Sequence, residues 1–155
     1  ELVDKGVVIE RKVRNSVNRK LLQLTEKGRD YVENSLYLDT KQEGRGGVVH
    51  RYWQHFIRDA FEEAGWHAFL EKFDADVYVN MESTELAIEI AMGDNPREIE
   101  HVEKHLEKGF LIWIAARNKE IQKGLEQRMK EKGLDADQVV FRLFRDFREV
   151  EIDSL

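Results

Sequence analysis

The sequence has 155 residues, of which 41% are hydrophobic and 36% are charged, and it contains no cysteine. This composition suits one globular core with an appendage, and it excludes disulfides and thiolate metal sites. The formal charge of −6 excludes a uniformly basic nucleic-acid binder. No apolar run reaches the length of a membrane span, so we expect a cytoplasmic protein without a membrane partner. The chain begins at Glu1 without Met, and we expect upstream polypeptide as one partner.

Positive charge is concentrated near the start of the chain. Residues 1–34 carry eight Lys or Arg and six Asp or Glu, a charge of +2, which leaves −8 for the rest. After the last turn of a helix at residues 2–6, the pattern predicts strands over 7–14 and 19–24 and a short helix from Thr25 to about Glu33. We expect DNA phosphates to contact the basic residues of this hairpin, which are Arg11, Lys12, Arg14, Arg19 and Lys20.

This run of elements, LVDKGVVIERKVRNSVNRKLLQLTEKGRDYV, resembles the second half of a winged helix. It corresponds to the end of a recognition helix, a two-stranded wing and the helix that follows. The resemblance covers residues 1–34 and limits the expected DNA contact to phosphates. A basic hairpin on a solvated surface, or a winged module for protein contact, is the alternative. Residues 35–47, which end in Gly-Arg-Gly-Gly, are predicted to be a linker.

A second domain is predicted over residues 48–155, beginning with an amphipathic helix that ends at Gly65. A strand over 66–73 and a hairpin around residues 81–84 follow. Asp76 stands at the head of the first hairpin strand and Glu89 near the end of the second, so folding should bring both carboxylates to one edge of a sheet. Asp74 is a less favoured rival of Asp76, which directly precedes the Val-Tyr-Val run.

The remaining elements predict a mixed sheet between helices, an α/β fold. Asn95 and Pro96 are typical of the start of a helix, and Gly109 of its end. The apolar run 110–116 predicts a buried strand, which a helical crossover makes parallel to the preceding strand. A further helix to Gly133 and a strand over 138–144 follow.

The order helix, strand, Asp-bearing strand, Glu-bearing strand, helix, buried strand resembles the PD-(D/E)xK, or restriction-endonuclease-like, nuclease fold. The resemblance implies that Asp76 and Glu89 are catalytic and bind Mg2+ or Mn2+, with the backbone carbonyl of Ile90 as a third ligand. The family places a Lys two residues after the Glu to orient the attacking water, but that position is Ala91 here. The nearest substitute is Lys104 in the following helix.

The stretch GRGGVVHRYWQ is similar to one that precedes the nuclease-like sheet in domains attached to DNA-handling ATPases. The resemblance implies that His50 or Gln54 completes the metal site, whereas a backbone-bonded His at a helix end is the simpler interpretation of His50. His101 and His105 are four residues apart and form a metal-ligand pair in one interpretation. Without a third ligand in the sequence, we favour an exposed, charge-rich helix face.

Three functions fit this pattern. The first is a deoxyribonuclease that depends on Mg2+ or Mn2+. The second is a nuclease-like domain without chemistry or cofactor, used for DNA binding or assembly within a DNA-translocating ATPase or mobile-element regulator. The third is a transcription regulator whose nuclease-like part binds an effector or dimerises, so a homo-oligomer stays open. The missing Lys and the acidic second domain favour the second function over the first.

Overall fold

In a computed structural model of the protein, the described residues are 8–13, 19–35, 44–134 and 137–148. The chain divides into two units, Glu1–Arg51 and Tyr52–Leu155. The predicted helix end at residues 2–6, the turn at 15–18, most of the predicted linker and the tail beyond 148 lie outside the described residues.

The first unit contains the predicted basic hairpin. Strands β1 (Val8–Val13) and β2 (Arg19–Leu24) pair antiparallel, and helix α1 (Glu26–Ser35) follows. The hydroxyl oxygen of Thr25 accepts a hydrogen bond from the amide of Gly28 at 3.0 Å, as a helix-capping residue does. The predicted order of two strands and a helix is therefore confirmed.

A five-stranded mixed sheet dominates the second unit. Its strand order is β3-β4-β5-β6-β7, antiparallel from β3 to β5 and parallel from β5 to β7. The parallel pairs follow from the helical crossovers, as the sequence predicts. The strands are β3 (His67–Leu70), β4 (Val77–Met81), β5 (Thr84–Ala91), β6 (Leu111–Ala116) and β7 (Val139–Leu143).

Three helices accompany the sheet, and side-chain caps fix where two of them begin. Helix α2 (Val48–Glu63) starts in the first unit and lies mostly in the second. Helix α3 (Pro96–Glu107) starts where Asn95 Oδ1 accepts from the amide of Arg97 at 3.0 Å. Asn118 caps helix α4 (Lys119–Lys132) in the same way. The predicted capping signal at Asn95 and Pro96 thus places the start of α3 correctly.

The core covers both faces of the sheet. On one face, Ile99 and Val102 of α3 pack with Leu125 of α4 against Ile112 and Ile114 of β6. Side chains alternate along a strand, so Trp113 points to the opposite face. There the ring of Phe61 from α2 lies 5.8 Å from the Trp113 ring, centroid to centroid. The predicted α/β architecture, a sheet between helices, is what the structure shows.

The segment after β3 differs from the expected strand over residues 66–73. The strand ends at Leu70, and a single 3-10 turn, Lys72–Asp74, follows. Glu71, Phe73 and Asp74 adopt left-handed backbone angles with φ of 54°, 57° and 69°. The alternating apolar row of Trp66, Ala68 and Leu70 also ends at Leu70, and the 3-10 turn then leads into β4. Among the helices described, none is both long and apolar enough to span a bilayer.

Candidate functional site

The hairpin of β4 and β5 brings Asp76 and Glu89 to one end of the sheet. The register pairs Val77 with Ile88, so one residue further along Asp76 lies opposite Glu89. Asp76 Oδ2 accepts a hydrogen bond of 2.8 Å from the backbone amide of Ile90, the residue after Glu89. The two carboxylates that the sequence singles out are therefore neighbours in space.

Gln54 of α2 also belongs to this cluster. Its side chain is fully buried, and Nε2 donates to Asp76 Oδ1 at 3.1 Å and to Glu71 Oε1 at 2.5 Å. Glu71 is thus a third acid at the site, one that the sequence analysis missed. Glu71 has a left-handed backbone conformation with φ of 54°, which places its carboxylate at the site. No neighbouring glycine or turn motif in the sequence indicates this conformation.

Two histidines of α3 hold the carboxylate of Glu89, which is only 1% exposed. His105 Nε2 lies 2.8 Å from Glu89 Oε1, and His101 Nδ1 lies 3.1 Å from Glu89 Oε2. His105 is fully buried, whereas the side chain of His101 is 40% exposed. The expectation of an exposed helix face was therefore wrong for His105. A carboxylate buried on β5 needs donors, and the facing helix supplies them.

The contacts of Glu89 restrict the tautomer of His105. An ionised carboxylate only accepts hydrogen bonds, so His105 can donate to ionised Glu89 only in a form with a proton on Nε2. Among the described residues its buried Nδ1 has no hydrogen-bond partner, and its ring stacks on Phe110 with centroids 5.9 Å apart. The hydrogen bond to Glu89 raises the pKa of His101 above its ordinary 6.5, although partial burial acts against it. The nearby charge of Asp76 acts in the same direction as Glu89.

The cluster as it stands does not fit the metal ion that the nuclease resemblance implies. Mg2+ binds several oxygens that converge on one point. Within the described ranges, no group of three or more His, Asp or Glu side chains is placed to hold a metal ion. Both oxygens of Glu89 face imidazoles, and both oxygens of Asp76 accept from protein donors. Gln54 Oε1 is a buried acceptor without a hydrogen-bond partner in the described part of the chain, a feature in favour of an ion.

Of two further predicted site residues, Ile90 contacts the cluster and Lys104 is exposed. The backbone of Ile90 is at the site, because its amide binds Asp76. Lys104 of α3 is exposed, and the α3 side chains that contact Glu89 are those of the two histidines. Lys104 as the water-orienting residue therefore stays a prediction.

The structure also separates the two alternatives for His50 and places Asp74. His50 belongs to the first unit, where its Nδ1 lies 3.1 Å from the carbonyl oxygen of Arg45. This is the contact expected of a histidine bonded to backbone at a helix end. Asp74 is exposed in the 3-10 turn, whereas Asp76 carries the hydrogen bonds to Gln54 and Ile90. The preference for Asp76 over Asp74 agrees with this geometry.

The predicted phosphate-binding residues occupy both hairpin strands. Arg11 and Lys12 lie on β1, Arg19 and Lys20 lie on β2, and Arg14 is outside the described residues. The register pairs Lys12 directly with Lys20.

Comparison with protein-family models, curated proteins and solved structures finds no match to this chain. The class established by the structure alone is an α/β unit with a mixed five-stranded sheet, together with a separate unit that contains a two-stranded hairpin and a helix. The function has to be argued from the cluster itself.

Proposed function

We propose that the chain is a DNA-associated, nuclease-fold domain whose acid cluster serves binding and assembly instead of phosphodiester hydrolysis. The order α2, β3, β4, β5, α3, β6 is the order that the resemblance to PD-(D/E)xK nucleases implies, and it supports the fold part of the proposal. The parallel pairing of β5 with β6 agrees with the same order.

The observation that carries the non-catalytic part is the state of Glu89. Its carboxylate is 1% exposed, and both oxygens face histidine nitrogens. Hydrolysis of a phosphodiester needs groups that stabilise the charge growing on the phosphate. The family's position for such a cation is Ala91, which is fully buried. The acid of β5 is therefore better placed to anchor α3 on the sheet than to act on a substrate.

The basic hairpin supports the association with DNA. Lys12 and Lys20 are direct partners across the two strands, in a unit whose first 34 residues carry a charge of +2. A phosphate backbone is an anionic partner for this basic stretch. This contact is independent of base sequence, so the hairpin would position the protein on DNA without reading it.

Plasmid nicking tests the non-catalytic assignment. Supercoiled DNA is incubated with the full chain in Mg2+ or in Mn2+, beside the isosteric variant Glu89→Gln. The proposal predicts equal, background nicking for both proteins. A second candidate, a metal-dependent deoxyribonuclease, is favoured by the unpartnered Gln54 Oε1 and the part-exposed Asp76. Nicking by the wild type that Glu89→Gln and Asp76→Asn both abolish would establish that candidate instead.

Duplex binding tests the hairpin. The variant Arg11→Ala/Lys12→Ala/Arg14→Ala should bind duplex DNA more weakly, and its salt dependence should be shallower by about one unit of log–log slope per lost phosphate contact. A matched triple variant in exposed positions of α4, Lys119→Ala/Lys123→Ala/Lys130→Ala, removes the same charge elsewhere. Equal affinity and slope for the two triple variants would exclude the hairpin as the contact.

A further inference from the structure

Two phenylalanine side chains at the edge of the sheet are exposed to solvent. Strand β3 lies at the end of the strand order, and Phe69 on it is 42% exposed. Phe73 in the turn that follows is 47% exposed. Rings of this size normally lie inside a fold, so a pair of them left in solvent indicates a contact surface.

Lysine ammonium groups lie among these rings. Lys72 Nζ is 4.2 Å from the centroid of Phe69, 5.2 Å from that of Phe73 and 4.8 Å from that of Tyr78. Lys108 Nζ donates to the carbonyl oxygen of Phe73 at 3.0 Å. We call the four residues Phe69, Lys72, Phe73 and Lys108 the aromatic platform. The acids Glu71 and Asp74 of the same turn balance the two lysine charges, and of these two acids only Asp74 is exposed.

The turn that presents Phe73 is held in an unusual conformation. Glu71, Phe73 and Asp74 all have left-handed backbone angles, which are unfavourable for residues other than glycine. The contacts of Glu71 with Gln54 and of Lys108 with Phe73 fix the turn on both sides. Strain of this kind is concentrated at functional sites, where the surrounding structure maintains it. The platform is therefore built into the fold and is not a loose surface loop.

We propose that the aromatic platform binds single-stranded nucleic acid, with Phe69 and Phe73 stacked on unpaired bases and Lys72 and Lys108 at phosphates. Aromatic rings beside cations are the general means of holding a single strand, whose base faces are open as those of a duplex are not. This inference rests on the proposed DNA association and names the form of the nucleic acid.

The surroundings of the platform favour a nucleic acid over a second copy of the chain. A second copy of the chain would bring the same two rings and two lysines to the interface, whereas a single strand offers base faces for the rings and phosphates for the lysines.

Fluorescence anisotropy with the full chain tests the platform. The probes are a labelled oligothymidine of about 16 nucleotides, the upper range of single-strand site sizes, and a labelled duplex of equal length. The variant Phe69→Ala/Phe73→Ala should bind oligothymidine about tenfold more weakly per lost ring, with duplex affinity changed by less than about twofold. The control Leu111→Ala removes another exposed apolar side chain and should bind both probes as the wild type does.

Two further variants keep the test decisive if the double Ala variant unfolds. Phe69→Leu/Phe73→Leu retains apolar volume but not the stacking rings, and the same loss is expected. Lys72→Gln/Lys108→Gln should reduce the salt slope for oligothymidine by about 1.4, which is two phosphate contacts on a single strand.

The other outcomes overturn the inference in distinguishable ways. If the wild type binds both probes and the ring variants bind oligothymidine equally well, the platform proposal is wrong while the DNA association stands. If the wild type binds neither probe, both proposals are wrong. If the ring variants only abolish a dimer seen in sedimentation, the platform is a self-contact and the nucleic-acid assignment is overturned.

Discussion

Replacing Glu89 with Ala should destabilise the protein strongly, because Glu89 is the acceptor for a buried imidazole. After this change fully buried His105 lacks its Glu89 partner at Nε2, and among the described residues its Nδ1 has no hydrogen-bond partner either. His101 loses less, since its part-exposed side chain can turn to water. Leaving a buried polar group without its hydrogen-bond partner costs about 1–3 kcal/mol.

Lost packing adds to this cost. The shorter Ala side chain removes buried carbon at about 0.8 kcal/mol per CH2. The free energy of unfolding should therefore fall by about 2–4 kcal/mol, which is a large part of the stability of a typical domain.

Urea unfolding followed by tryptophan fluorescence measures this loss. All three Trp residues of the chain lie in the second unit, so the signal reports on the sheet domain. With a slope of about 2 kcal/mol per M, the midpoint should fall by about 1–2 M. The control Glu100→Ala, on the exposed side of α3, should change the free energy of unfolding by less than about 0.5 kcal/mol. An unchanged or higher midpoint for Glu89→Ala would refute the reasoning. That result is expected if Glu89 is an acid without compensating partners, as in a metal site, because the substitution then removes an unfavourable charge.

Three smaller predictions follow from single contacts. Burial and the 2.6 Å hydrogen bond to Glu85 raise the pKa of Tyr78 to about 12. In a titration of tyrosinate absorbance, the difference between the wild type and Tyr78→Phe should therefore appear near that value and not near 10.0. The raised pKa of His101 means that its contact with Glu89 stabilises the fold below the ordinary His pKa and that this stabilisation fades as pH rises through the raised value. The stability difference between wild type and His101→Asn should therefore shrink with rising pH, by less than about 1 kcal/mol because water screens this side chain; a growing difference would contradict the contact. Asn95→Ala should cost about 1 kcal/mol in urea unfolding through loss of the α3 cap, and an unchanged midpoint would argue against that cap.

Local signals in the sequence predict most of the fold. Alternating apolar residues give β4 and β5, and the continuous apolar run gives β6 as a buried parallel strand. Asn95 with Pro96 marks the start of α3 correctly. These features depend on neighbours in sequence, so a pattern is enough to find them.

The interior of the cluster could be predicted only in part. The sequence places Asp76 and Glu89 at the ends of two strands of one hairpin, and this position predicts that they lie close together. The histidines of α3 were expected on an exposed face because the sequence shows no third metal ligand, yet His105 lies three residues after buried Val102 and so shares the inner face of α3. Glu71 depends on a left-handed backbone that tertiary contacts impose, and no local signal marks it.

The most direct test of the central claim is the amount of Mn2+ that the protein binds. Electron paramagnetic resonance of free Mn2+ reports this quantity without reference to activity. Since both Glu89 oxygens face histidines and both Asp76 oxygens accept from protein groups, the wild type and Glu89→Gln should leave the same fraction of Mn2+ free. A loss of free Mn2+ signal with the wild type that Glu89→Gln restores would contradict the account and establish the cluster as a metal site.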